Sequence, residues 1–563
     1  MRRVAELRAL LVALLALFTL TAQAWAAGTV SSADPRASEA GMEMLRKGGS
    51  ATDAALAMML ALTVVEPQSS GIGGGGFLVH HDEKSGALAT IDGRETAPKS
   101  ATPALFLGPN GKPLPFVQAV PGGKSVGVPG NIALMKKAHE KWGRLKWADL
   151  FAPAIKLARE GFVVTKPLAD GLERAAPLWS ESFPDARAIY WIDGRPAREG
   201  ETLRNPALAD FLEKIAAKGP RALYKGGGAA GISAAVANAP RNPAHLTKAD
   251  LASYRAKFRP PVCGQYRVYK ICGMGPPSSG AVAVVQILGM LERFDMKALG
   301  PDNPQSWHLI GEAMRLAFAD RNAYLGDSDF VSVPVSGLID RSYVQARSAL
   351  IAPDTPRASY EAGIPAGAPP RIPAMGSDTP GTTHFVAVDD AGNIAAITST
   401  VEGPFGSQLI AHGFFLNNEL TDFDFAPEKD GTLVANRVQP GKRPRSSMAP
   451  TIVYDADGKP VFVVGAAGGA TIIMQVAKAL IAHLDWGMSA RDSIGLGLIF
   501  FDRNGLTLES GTRLDAMKPA LEAMGHHVGT LNARLKANAA ERLPDGRWQG
   551  AADPRSVGVA LTE

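Results

Sequence analysis

Gly381-Thr382-Thr383-His384-Phe385 sets two hydroxyl side chains where a loose stretch of chain gives way to a strand-like one. Upstream, residues 352–381 are crowded with Pro, Gly, Ala and Ser, a composition that predicts a linker or exposed loop. Downstream, residues 384–388 read as a strand, 389–393 as a turn and 394–400 as a second strand. If the chain were cut before Thr382, that residue would carry a hydroxyl and a free α-amine. The amine then serves as base for the hydroxyl, as in nucleophilic catalysis by an N-terminal Thr. An α-amine titrates at roughly 7.7–8.0, so part of it accepts protons at ordinary pH. Taken alone, Thr382-Thr383 reads as a strand start chosen on steric grounds.

Other residues carry chemistry only in company. Gly73 to Gly76 are four consecutive glycines without the Lys-Ser/Thr of a phosphate loop. They predict backbone running close against other backbone. Arg94 by itself reads as a surface ion pair, and Glu419 and Asp422 as solvated turn residues. Gly468-Gly469 opens a helical stretch over 469–484. N–H groups at such a start are free to donate, which suits an oxyanion hole and equally a tight turn. The pairs His80-His81 and His526-His527 cannot share a helix face and read as surface or packing residues. Cys263 and Cys272 flank a strand-like run over 266–270; they form either a disulfide or two buried thiols, and make no zinc site.

In order, Thr382-Thr383-His384-Phe385, Thr398-Ser399-Thr400, Phe405-Gly406, the run from Leu416 to Phe423, the run from Lys442 to Met448, and Gly468-Gly469 resemble the γ-glutamyltransferase (γ-glutamyl transpeptidase, glutathione hydrolase) family. The resemblance covers residues 32–556. It implies an α+β fold, the four-layer αββα sandwich of N-terminal-nucleophile hydrolases. It also implies autocatalytic cleavage between Gly381 and Thr382, giving a large subunit over 27–381 and a small one over 382–563. Thr382 is then the nucleophile, Thr400 its hydrogen-bond partner, and Gly468 and Gly469 the oxyanion donors. Glu419 and Asp422 match the acids for a γ-glutamyl ammonium. Arg94, Ser446 and Ser447 match the donors for its carboxylate, a task that suits the fork of Arg. The implied donor is glutathione or another γ-glutamyl amide; the acceptor is water or an amino acid or peptide amine. No metal or organic cofactor is implied.

This sequence departs from the family twice. Glu402 stands where well-known members have an amide residue near the glutamyl amino end. The stretch 423–440 is short and lacks an aromatic that tips a lid over the pocket in some members, which would admit bulkier substrates. Two rival readings follow. One is a glutaryl or β-lactam side-chain acylase, which needs no ammonium clamp. The other is an exported binding protein that never cleaves itself.

The elements that must position these residues are legible as helical spacing over 37–47, 51–62, 147–160, 206–217, 280–293 and 305–325, and as a hairpin over 451–465. The turn 275–280 (Gly-Pro-Pro-Ser-Ser-Gly) caps the helix that follows it. Apolar residues at 46% and charged residues at 20% of 563 describe an ordinary globular chain. The formal charge of +5, with no Lys/Arg block, leaves nucleic-acid binding without support. Arg2-Arg3, the apolar run over 9–20 and Ala24-Trp25-Ala26 predict a signal peptide over 1–26, hence a periplasmic or secreted protein. That run is short for a bilayer span of about 20 residues.

Overall fold

The computed structural model describes residues 28–373, 381–502, 505–531 and 534–563. The expected signal peptide therefore lies outside the described residues. Two antiparallel sheets face each other. The first has seven strands in the order Val559–Thr562, Thr29–Ser32, Thr382–Val388, Ile394–Thr400, Gly75–Asp82, Ala87–Asp92 and Lys257–Arg259. The second has six: Trp548–Ala552, Lys536–Arg542, Pro460–Ala467, Thr451–Tyr454, Tyr269–Gly273 and Val262–Tyr266. Stretches before and after Thr382 contribute to both sheets and interleave in the first.

Side chains alternate along each strand, so one strand serves two cores. Phe385 and Ala387 pack with helices Pro35–Arg46 and Ala51–Val65 on the outer face of the first sheet. Val386 and Val388 pack inward, in one cluster with Val453, Val463 and helices Gly280–Leu291 and Thr471–Leu484. Helix, sheet, sheet and helix form four layers, as the resemblance implies. Thr382 and Thr400 share the inward phase.

Several expectations hold closely. Helices occupy Pro206–Lys218, Gly280–Leu291 and Pro304–Tyr324, and strands Ile394–Thr400 and Thr451–Tyr454. Others need correction. The single helix expected over 147–160 splits into a 3-10 turn, Trp147–Phe151, and an α-helix, Ala152–Glu160, with proline in its first turn. The strand expected over 266–270 is a hairpin bend, with Arg267 at φ 55°. Cys263 and Cys272 thereby face each other in register and form a disulfide. His80, His81 and His526 are buried, which agrees with packing.

The linker also differs from expectation. Residues 352–373 lack regular structure, yet helix Pro304–Tyr324 holds residues 352–363 along its length. His308 meets Ala352 O at 2.9 Å. Glu312, fully buried, accepts from Arg357 N–H at 3.1 Å and Tyr360 O–H at 2.6 Å. Arg315 donates to Arg357 O and Ala358 O; Asp320 accepts from Gly363 N–H. Composition signals low apolar burial, not the absence of polar anchoring. Residues 374–380 of the expected linker lie outside the described residues.

The glycine run behaves as predicted. Gly74 lies against Thr400, where an added Cβ would overlap the Thr400 carbonyl. Overpacking typically costs about 1–3 kcal/mol. Gly74→Ala is therefore expected to lower the thermal midpoint measurably; an unchanged melting curve would contradict this packing.

Candidate active site

The strands Thr382–Val388 and Ile394–Thr400 pair so that Thr382 faces Thr400. Opposed residues in such a pair have Cβ atoms about 4.5–5.5 Å apart, which brings two short hydroxyls into contact. Thr382 Oγ1 donates to Thr400 Oγ1 at 3.2 Å. Thr400 Oγ1 donates in turn to the carbonyl oxygen of Gly381 at 2.7 Å and receives the Glu402 N–H at 2.8 Å. One hydroxyl thus touches both the Thr382 hydroxyl and the Gly381 carbonyl. Glu402 supplies its N–H from a left-handed turn, φ 75°. That turn presses on Gly381, where an added Cβ would overlap Glu402 O.

Across the sheet interface, strand Pro460–Ala467 ends in Gly468 (φ 139°) and Gly469 (φ 60°). Their carbonyls accept from Thr471 and Ile472 N–H as helix Thr471–Leu484 begins. Their own N–H groups take no part in those bonds. Gly469, Ile472 and Met448 line the same cavity as Thr382, Thr400, Arg94, Glu402, Glu419, Asp422, Ser446 and Ser447. The tertiary structure therefore gathers sequence-predicted residues from six separate stretches.

Arg94 is 1% exposed and is not a surface ion pair. Its Nη1 bonds to Glu419, its Nη2 to Asp422 and Arg445 O, and its Nε to Pro444 O. Four of its five donors are spent inside the protein. Burial opposes the charge on Arg94, but the Glu419 and Asp422 carboxylates outweigh it and raise its pKa. Glu419 and Asp422 sit in one 3-10 turn, Glu419–Asp422, so both reach the guanidinium from one rigid segment. Burial pushes Glu419 well above the usual carboxylate range despite Arg94, and Glu95 up to about 7. Asn418 ties the turn to the segment that follows strand Ile394–Thr400. Its amide nitrogen donates to the Glu402 carboxylate and its oxygen receives Gly403 N–H at 2.8 Å.

Matching this chain to known proteins fits that geometry. The family model for Gamma-glutamyltranspeptidase matches residues 37–562. The chain belongs to the γ-glutamyltranspeptidase family. It is 37% identical to the glutathione hydrolase proenzyme of Bacillus subtilis (strain 168) over 550 residues, 95% of this chain and 91% of that one. It is 35% identical to the Acylase ACY 1 proenzyme of Pseudomonas sp. (strain SE83) over 545 residues, 95% and 93% of the two chains. Among solved structures it resembles the cephalosporin acylase from Bacillus halodurans, with TM-score 0.83, 26% identity and coverage of 95% and 96%. The N-terminal-nucleophile hydrolase fold and enzyme class of the γ-glutamyltranspeptidases follow for this chain.

Sequence reasoning missed Glu95, Asn418, Met448 and Ile472. Glu95 follows Arg94 directly and is fully buried, but adjacency to an arginine reads as an ion pair in any sequence. Met448 and Ile472 look like ordinary core residues. Among the described residues no group of His, Cys, Asp and Glu is arranged to hold a metal ion. No helix among them is long and apolar enough to cross a membrane.

If the chain cuts itself between Gly381 and Thr382, the bond from Thr400 to Gly381 O gives the two hydroxyls separate parts. Thr382→Ala, lacking the attacking oxygen, should stay one full-length band on a denaturing gel. Thr400→Val should mature about 10²-fold more slowly, the usual loss of one oxyanion donor. Clean cutting at Gly381-Thr382 in Thr382→Ala would transfer the nucleophile's part to another residue, Thr383 first.

Proposed function

We propose that the chain is an exported proenzyme that cuts itself between Gly381 and Thr382 and then cleaves γ-glutamyl amides, glutathione among them. The observation that carries this reading is the cavity in which Thr382 meets Arg94, Glu419, Asp422, Ser446 and Ser447. Self-cleavage begins with attack of Thr382 Oγ1 on the Gly381 carbonyl carbon, which Thr400 polarises. The amide nitrogen leaves as the α-amine of Thr382, and water hydrolyses the resulting ester to free the Gly381 carboxylate.

In turnover the α-amine takes the proton of Thr382 Oγ1 as the oxygen attacks the γ-carbonyl of the donor. The resemblance gives the developing oxyanion to the N–H groups of Gly468 and Gly469, of which Gly469 lines the cavity. The leaving amine departs with a proton, and the γ-glutamyl ester passes to water or to an amino acid or peptide amine. Glu419 and Asp422 receive the donor's ammonium; Ser446, Ser447 and the remaining N–H of Arg94 receive its carboxylate. Arg94 holds the two acids in place as well as the ligand, because unpaired they would be buried charges costing several kcal/mol each. The chemistry calls for no metal or organic cofactor.

Export is part of the proposal and rests on residues 1–26. N-terminal sequencing of the large subunit from intact cells should begin near residue 27; retention of Met1 would overturn export.

Acylase relatives give the rival reading its weight. Glu402 separates the two, since its carboxylate adds a third acid to the wall formed by Glu419 and Asp422. Like charges so close disfavour one another's ionisation. A donor ammonium relieves that, and a glutaryl donor, which has none, does not. The wild type should therefore favour γ-glutamyl over glutaryl anilide in kcat/KM, and Glu402→Gln should narrow the gap. Equal ratios in both proteins would remove Glu402 from recognition, and good glutaryl turnover by the wild type would favour the acylase reading.

A further inference from the structure

The turn Gly275–Gly280, legible in the sequence only as a helix cap, lies against the two serines of the cavity. Ser279 N–H and Oγ both donate to Ser446 O, at 2.7 and 2.6 Å. Ser446 N–H donates to Pro277 O at 3.0 Å, and Ser278 Oγ to Met448 O at 2.6 Å. The backbone over 446–448 is therefore held from one side by the turn. Arg321, from helix Pro304–Tyr324 and 3% exposed, closes the bracket. Its Nε donates to Ser279 Oγ at 2.9 Å and its Nη2 to Ser447 Oγ at 2.6 Å.

A guanidinium has donors only, so Ser447 Oγ commits a lone pair to Arg321. The hydroxyl proton then points away from the guanidinium. Ser446 Oγ likewise receives the Met448 N–H at 3.1 Å. Both serines of the cavity are thus set to act as donors. A cation behind a donating hydroxyl suits an anion and repels an ammonium. The acids Glu402, Glu419 and Asp422 line the same cavity with opposite charge, while Arg94 has most of its donors committed to them. The cavity wall thus carries three acids and two serine hydroxyls, and Arg321 stands behind Ser447.

We propose that Arg321 is a positioning residue for donor recognition: anchored through Ser279, it orients Ser447 and makes the site select donors that carry an α-carboxylate. This deepens the γ-glutamyl reading and rests on it.

Three anilide donors on matured enzyme test the proposal: γ-glutamyl, 4-aminobutyryl (ammonium without carboxylate) and glutaryl (carboxylate without ammonium). In Arg321→Met the γ-glutamyl to 4-aminobutyryl ratio of kcat/KM should fall at least about tenfold, the scale of one charge-assisted hydrogen bond. The change should lie mainly in KM. The γ-glutamyl to glutaryl ratio should stay put, because both donors keep the carboxylate. Arg321→Lys should recover part of the loss. Equal losses on all three donors, or no loss, would reduce Arg321 to a structural residue and overturn the proposal. If Arg321→Met fails to fold or mature, Ser279→Ala removes the anchor and should lower the same ratio several-fold; an unchanged ratio there overturns it too. A wild type indifferent to the carboxylate would instead bring down the γ-glutamyl reading itself, before Arg321 comes into question.

Discussion

The register between two central strands governs the rest of this molecule. Thr382 faces Thr400 because Val386 faces Ala396 and Val388 faces Ile394 four and six residues along, all buried. A slip of one residue would send every side chain of the strand to the opposite face. It would drive Thr382 out among the helices and break the contact between the hydroxyls. Burial on both faces of the sheet makes that slip prohibitive. Thr382 is thus placed by the apolar residues of its own strand, and the hydroxyl-bearing end inherits its position from the inert one.

Charge is organised with comparable rigidity. Arg94, Glu95, Glu402 and Glu419 are each at most 3% exposed, and Asp422 is 9% exposed. Ions so poorly hydrated are tolerated only when geometry pairs them. The backbone of Arg94 is pinned as well: its N–H donates to Asp92, and its carbonyl accepts from Tyr254 and Arg443. Arg443 is itself bound to Asp92 at 2.6 Å. The pocket is therefore preorganised before any ligand arrives, which lowers the ordering cost of recognition.

Helix Pro304–Tyr324 links distant parts of the chain. At 21 residues it spans about 30 Å. His308, Glu312, Arg315, Asp320 and Tyr324 hold residues 352–363, and Arg321 reaches Ser279 and Ser447. One element thus holds residues 352–363 and steadies Ser279 and Ser447.

Much of this was legible in the residues alone. The period-2 pattern after Thr382, the apolar helices and the close-packed glycines are local signals, since alternation, helical spacing and glycine each reflect short-range sterics. The ordered motifs added the family and a list of site residues. What the sequence could not show was partnership. Arg94 and Glu419 are 325 residues apart, and nothing local distinguishes a caged guanidinium from a solvated one. The same holds for Glu95 and Arg321, and for the linker, whose composition predicted looseness while a helix upstream supplied its anchors. Residue types and spacing determined which chemistry was available. Only the packed fold decided which charges face one another in a buried site, because that depends on contacts hundreds of residues apart.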